Sequence, residues 1–270
     1  MKIDLARHYP LSPEQVAQFR RDGFIKLKSV FNADELAYYG EQITRLTIAF
    51  NTQTLPLEER STYDRAFLQV MNLWERSERV REFVFGRRLA EIAATLLEVA
   101  GVRLYHDQSL YKEPRGGITP AHADQYYWPV SSDRTVTAWV PLQAVPQEMG
   151  PLAFYVGSQG VEFGRDLIIS DESERAITDN MQAHGFRVLD EPFELGEVSF
   201  HLGWTFHRAG PNRSPKPRSV MTVIYMDRDM RLSAPTNANQ KNDWDKWCPG
   251  AVVGQIIDTP KNPVLFERTS

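Results

Sequence analysis

The chain has 270 residues, enough for one large β-containing domain with no need of a second. It is 42% apolar and 24% charged with a formal net charge of −4, which is ordinary for a globular protein and argues against a nucleic-acid surface. A single cysteine, Cys248, excludes an internal disulfide, and neither an apolar leader core in Met1–His8 nor a membrane-spanning window is present. The expectation is a cytoplasmic protein with no membrane and no nucleic-acid partner.

Ser12-Pro-Glu-Gln15 predicts a helix start, with Ser12 as N-cap, proline at the first helical position and Gln15 closing a capping box; Gly23 ends that helix. Phe24 to Val30 alternates like a strand. Asn32-Ala-Asp-Glu35 is a second capping box, opening a helix to about Ala49. Residues 57–74 are mixed and carry no clear period. Ser77 to Phe85 predicts a short helix stopped by Gly86, and Leu89, Ile92, Ala93, Leu96, Leu97 and Ala100 recur at helical spacing. The stretch from about 12 to 100 is therefore a helical scaffold.

From Val102 the period changes to two. Val102–Lys112, Thr135–Val145, Leu152–Val156, Phe193–Phe200 and Arg218–Met226 are predicted strands, punctuated by Gly and Pro, with one helical interruption at Asp171–His184. Helices first and many short strands afterwards imply a mainly β protein, a sheet sandwich with flanking α-helices, its core spanning about 102–227. Residues 228–270 read as an irregular segment containing Trp244, Trp247 and a Cys-Pro-Gly turn, of the kind that lines or covers sites.

Within Thr119-Pro-Ala-His-Ala-Asp-Gln-Tyr-Tyr-Trp-Pro129, His122 and Asp124 stand two apart, so on an extended segment both side chains leave one face. His207 is the best third ligand, with His201 as its competitor. Two histidines and a carboxylate on one face of an octahedron make the site of non-haem Fe(II) oxygenases. Arg218, eleven residues beyond His207, opens an apolar run where a buried guanidinium could grip a carboxylate with two prongs. Alternation would aim Tyr126 to the face of Asp124, placing the Tyr126-Tyr127-Trp128 cluster at the border of a substrate pocket. His106 and His184 read as ordinary strand and helix-end residues, and His8 as a flexible one.

Taken together, His122-Ala-Asp124, His207, Arg218 and the intervening Gly-Pro-Asn-Arg-Ser run at 210–214 resemble the phytanoyl-CoA dioxygenase family of Fe(II)/2-oxoglutarate oxygenases. The resemblance extends from the helices near residue 12 to Asn262-Pro-Val-Leu265. It implies a double-stranded β-helix (jelly-roll, cupin-like) core, with His122, Asp124 and His207 as iron ligands and Arg218 as the 2-oxoglutarate residue. His207 is preferred over His201 because only His207 has the family's spacing from Arg218. The resemblance also suggests Lys112, Trp139 and Thr119 near the cosubstrate. The plainer alternatives are a solvated strand-end lysine and a core tryptophan. Some relatives carry a serine where this chain has Ala209, removing one hydrogen bond to the cosubstrate.

The chemistry so implied uses Fe(II), 2-oxoglutarate and O2, releases succinate and CO2, and oxidises a small-molecule metabolite. Halogenating relatives lack the carboxylate, so Asp124 implies hydroxylation or a related oxidation. Two other classes could use the triad: a zinc hydrolase and a non-catalytic metal-binding or sensor protein of the same fold. Neither needs Arg218. A CoA ester would favour a basic groove, and Arg213, Lys216 and Arg218 are too few to make one.

Overall fold

The structure, a computed structural model, describes residues 3–268; Met1 and Lys2, part of the stretch read for a leader, lie outside the described residues. The first part of the chain forms α1 (Pro13–Asp22), β1 (Phe24–Leu27), α2 (Ala33–Phe50), α3 (Thr62–Ala66), β2 (Leu68–Met71), α4 (Glu78–Val84) and α5 (Arg87–Leu97). There follow β3 (Gly101–Lys112), β4 (Thr119–His122), β5 (Thr135–Pro141), β6 (Leu152–Tyr155), α6 (Asp171–Ala183) and β7 (Val188–Leu189). The chain continues with β8 (Val198–Leu202), β9 (His207–Ala209), β10 (Arg218–Asp227), α7 (Ala238–Trp247) and β11 (Val264–Glu267).

The capping signals act as expected. Ser12 and Gln15 exchange side-chain and backbone hydrogen bonds at the start of α1, and Asn32 and Glu35 do the same for α2. Gly23 closes α1 in the left-handed conformation (φ 80°). The strand after it is shorter than its alternation suggested, because Ser29 turns the chain at φ 55°. The unassigned 57–74 region contains α3 and β2 between two short 3-10 turns.

Two antiparallel sheets make the jelly-roll core. One runs in the order β1-β8-β5-β10-β3-β11, with β2 sharing the outer edge of the long β3; the other runs β4-β9-β6-β7. Period-two alternation divides the large sheet. On β10, Met221, Val223 and Tyr225 join the apolar layer under α2, α4 and α5, while Arg218, Val220 and Thr222 face the second sheet. On β5, Val136, Ala138 and Val140 face the helices and Trp139 faces inward, where it packs with Leu152 and Phe154 of β6 and Ala209 of β9. The helical scaffold thus seals one face and leaves the interior between the sheets for a site.

The helical layer is pinned by one buried ion pair. Arg88, 1% exposed, donates Nη2 to Glu35 Oε1 (2.8 Å) and Nη1 to Glu35 Oε2 (3.0 Å) and to the Val30 carbonyl (2.6 Å). Glu35 Oε2 also accepts from the Asn32 amide, so one carboxylate caps α2 and neutralises α5. Glu35→Ala should cost about 3–5 kcal/mol, since Arg88 would stay buried without its partner. The check is urea unfolding, where the midpoint should fall while the slope is unchanged.

The tail departs from expectation. Residues 228–270 are not irregular throughout: Asn237 caps α7, and β11 pairs with β3 through Val264↔Arg103 and Phe266↔Val102. The apolar spacing of α7 is too sparse to show as a helix in sequence, because only part of one face is buried. Phe193–Phe200 is likewise broken, with Phe193 bridging Val145 and the strand proper starting at Val198 after a turn between Glu194 and Glu197.

Candidate active site

His122 is the last residue of β4, and Asp124 is the first of a 3-10 turn, Asp124–Tyr127. The two do not share one strand as the His-X-Asp spacing suggested. They still converge, because Ala123 between them remains extended (φ −122°, ψ 131°). His207 opens β9, and its Cα pairs with that of His122 in the antiparallel register. The imidazoles lie with ring centroids 4.2 Å apart, and both Nε2 atoms approach Asp124 Oδ1, at 3.5 Å from His122 and 3.6 Å from His207. One ligand atom from each of the three lies within 4.8 Å of the others, a spacing that can hold a metal ion.

Hydrogen bonds set the tautomers. His122 Nδ1 lies 2.7 Å from the Pro120 carbonyl and His207 Nδ1 lies 3.0 Å from the Thr205 carbonyl. A carbonyl can only accept, so each Nδ1 carries the proton and each Nε2 turns a lone pair toward the shared space. Burial above all, with the imidazole of His122 beside it, pushes the His207 pKa well below its usual value, which keeps the ring neutral. Burial alone would raise the Asp124 carboxyl. The three imidazoles around it, His207 foremost, outweigh that and hold it well below the carboxylate range. Neutral imidazoles and an ionised carboxylate are the donor set that a divalent transition metal requires.

His201, the competitor for third ligand, takes a different place. Its Nε2 donates to the other carboxylate oxygen, Asp124 Oδ2, at 3.1 Å, and Thr137 Oγ1 donates to the same atom at 3.0 Å. Asp124 is therefore fixed from behind while Oδ1 points at His122 and His207. Thr137 was legible in principle, because it shares parity with Trp139 on β5. His201 lay beyond sequence, since its role depends on β8 pairing with β5.

Arg218 begins β10 and is 1% exposed. Its Nη1 donates to the Gly150 carbonyl, while its Nε is buried with no partner. No carboxylate pairs with it among the described residues, and burial lowers its pKa to about 9. Trp139 stacks its ring 5.4 Å from the guanidinium carbon. Gly150 holds φ 67°, and a Cβ there would stand 2.1 Å from the Gly210 carbonyl oxygen, so only glycine lets this loop close against Gly210.

The metal triad, Arg218, Trp139 and Thr119 line one cavity of about 340 Å³ between the sheets, and Thr119 Oγ1 is buried there without a hydrogen-bond partner. Unpaired donors on an arginine and a threonine fit the carboxylate end of a dicarboxylic acid. Lys112 is placed otherwise than either sequence reading supposed. It is 0% exposed, absent from the cavity wall, and gives Nζ to the carbonyls of Gly117 (2.5 Å) and Gly210 (2.9 Å). Burial and the adjacent Arg218 push its pKa well below that of a free lysine.

Three further corrections concern the pocket. The 3-10 turn breaks the alternation, so Tyr126 faces α7, bonded to Asn239 (3.3 Å), and only Tyr127 and Trp128 line the cavity. His106 is no ordinary strand residue but part of the wall, where burial lowers its pKa to about 4 and keeps it neutral. Asp243 of α7 also lines the cavity, a residue with no sequence signal at all.

The profile of the phytanoyl-CoA dioxygenase (PhyH) family matches residues 19–220. The ectoine dioxygenase of Sphingopyxis alaskensis is 25% identical over 257 residues, spanning 87% of this chain and 82% of that protein. A probable alpha-ketoglutarate-dependent hypophosphite dioxygenase of Stutzerimonas stutzeri is 23% identical over 230 residues, spanning 80% and 79%. Among solved structures, the epimerase SnoN in complex with Fe3+, alpha ketoglutarate and nogalamycin RO superposes with a TM-score of 0.77 at 24% identity, covering 94% of this chain and 98% of that one. The structural likeness shows a shared fold, and the family profile covers most of the chain. The chain belongs to the phytanoyl-CoA dioxygenase (PhyH) family, and it is an iron- and 2-oxoglutarate-dependent dioxygenase.

Proposed function

We propose that His122, Asp124 and His207 hold Fe(II), that Arg218 with Thr119 and Trp139 receives 2-oxoglutarate, and that the enzyme hydroxylates a small organic molecule. The observation that carries this reading is a buried arginine with no acid partner in the same cavity as three convergent metal donors. Bound together, iron and 2-oxoglutarate activate O2, and oxidation of a substrate C–H bond accompanies release of succinate and CO2.

The residues of the chain supply position and dryness. Thr205 and Pro120 carbonyls lock the two imidazoles, and His201 with Thr137 keeps Asp124 from turning. Trp139 and Leu152 close the Arg218 end against water. Lys112 supports that end indirectly, by tying the Gly117 and Gly210 loops together, and does not touch the cosubstrate. Asp124 fills the position that halogenating relatives leave open, which favours hydroxylation. The tail contributes to the substrate enclosure through α7. A zinc hydrolase or a metal sensor would have no use for the unpaired Arg218.

Anaerobic titration of the Fe(II) protein with 2-oxoglutarate should raise a visible metal-to-ligand absorption band, and added substrate should stimulate succinate release. A protein that binds Fe(II) but shows no band at saturating 2-oxoglutarate would overturn the assignment.

A further inference from the structure

The cavity has two ends of unequal chemistry. Arg218 stands at one end, and no other lysine or arginine lines the wall among the described residues. If Arg218 is committed to 2-oxoglutarate, the remaining wall offers a substrate no cationic side chain among the described residues. It does offer a carboxylate. Asp243, on the inward face of α7, is 9% exposed and lines the cavity with Tyr127, Trp128 and His106.

Asp243 forms no salt bridge among the described residues. Its Oδ2 accepts a hydrogen bond from the Tyr105 hydroxyl at 3.2 Å. Of the basic neighbours on α7, Lys241 holds Asp245 at 2.5 Å, and Lys246 is exposed and acts on Asp243 through its charge without forming a salt bridge to it. On the facing β3, Tyr105 gives its hydroxyl to Asp243 and His106 is neutral through burial. A carboxylate in such a place costs free energy unless something cationic joins it. Burial raises its carboxyl to about 7, opposed by hydrogen bonds from Tyr105 and Trp247 and the charge of Lys246.

Tyr127, at the end of the 3-10 turn that Asp124 begins, lines the same cavity as Asp243. Burial above all raises its phenol to about 12, with Tyr126, Asp124 and Asp243 adding to it. Its hydroxyl is anchored by the Ile169 amide at 3.2 Å. The aromatic faces of Tyr127 and Trp128 suit a cation beside them.

We infer that the substrate is a small organic amine, whose protonated nitrogen sits on Asp243 while a carbon beyond Tyr127 is presented to the His122, Asp124 and His207 site. This inference rests on the proposed function for the metal and cosubstrate end, and adds the substrate class. It narrows the small-molecule metabolite expected from sequence to one chemical class. It also disfavours anionic substrates, CoA esters and inorganic oxyanions among them, which would meet Asp243 with no cationic side chain beside it to balance them.

The test uses shape-matched probes titrated calorimetrically into the Fe(II)/2-oxoglutarate enzyme under argon. Two series suffice: benzylamine, benzyl alcohol and benzoate, and cyclohexylmethylamine, cyclohexylmethanol and cyclohexanecarboxylate. In at least one series the amine should bind about tenfold or more tightly than the alcohol, and the acid weakest of all. D243N keeps an acceptor for Tyr105 but loses the charge, so in it the amine-to-alcohol ratio should fall to about one. Amine binding no tighter than the alcohol, no amine binding, or a preference that survives in D243N would each overturn the inference. The wild-type ratio is decisive even if the variant folds poorly. The absorption band of bound 2-oxoglutarate, recorded in the same samples, separates the two ideas. A missing band refutes the cosubstrate assignment, whereas a normal band without amine preference refutes only the substrate class.

Discussion

His207→Ala should reduce Fe(II) affinity by at least about 100-fold, to the point where the purified protein carries iron at background level. Even a residue behind a metal ligand is worth roughly 10–100-fold in affinity, so losing one of three ligands must exceed that. The fold should survive, because Asp124 stays tied to His201 and Thr137 and the β4–β9 pairing is a backbone contact. His122→Ala should behave alike. His201→Asn offers the informative contrast: it removes a support of Asp124 but no donor atom from the cluster, so the loss should stay within the roughly 10–100-fold range. The readouts are metal content after anaerobic reconstitution and circular dichroism of the same samples. Full iron in His207→Ala with loss in His201→Asn would exchange the roles of the two histidines.

Arg218→Ala should weaken 2-oxoglutarate by roughly 30-fold or more while leaving iron binding intact. Stripping one partner from a buried, hydrogen-bonded charge pair costs about 2–5 kcal/mol, and each 1.4 kcal/mol is about tenfold. In this protein the penalty should appear only when the cosubstrate binds. Without it Arg218 already lacks an acid partner, so no carboxylate of the chain is stranded by the change. Arg218→Lys should recover only part, since an ammonium cannot reproduce the planar two-pronged contact. Lys112 is a poor substitute, because its amine is engaged by Gly117 and Gly210 and burial disfavours its charge. Titration of the metal-to-ligand band gives the affinity, with iron measured in parallel. Wild-type affinity in Arg218→Ala would mean that the carboxylate is held elsewhere in the cavity.

Much of this protein is written locally. Capping boxes at Ser12 and Asn32, the helical spacing of Leu89 to Leu97 and the period-two runs of β3, β5 and β10 depend on interactions between near neighbours in sequence. His122, Asp124, His207 and Arg218 were legible for a related reason: their residue types and spacing are a family pattern that carries its own chemistry. Parity on a strand could also have exposed Thr137, which shares the face of Trp139.

The remainder belongs to tertiary structure. That His201 holds Asp124 from behind follows from β8 lying beside β5, a pairing between residues more than sixty apart in sequence. That Lys112 ties two loops and leaves the cosubstrate wall follows from its burial beside Arg218 across the β3–β10 register. Tyr126 left the face assigned by alternation because the chain turns into a 3-10 helix at Asp124, and alternation holds only on a strand. Asp243 is the extreme case. It lies on a helix of weak apolar pattern, in a tail without period, and becomes part of the cavity only because α7 packs on the turn that carries Tyr126 and Tyr127. Sequence by itself pointed to the reaction class, since the residues proposed to hold metal and cosubstrate are few, chemically distinctive and regularly spaced. The wall facing the substrate was decided by packing, because its residues come from distant segments and share nothing in sequence that marks them as neighbours.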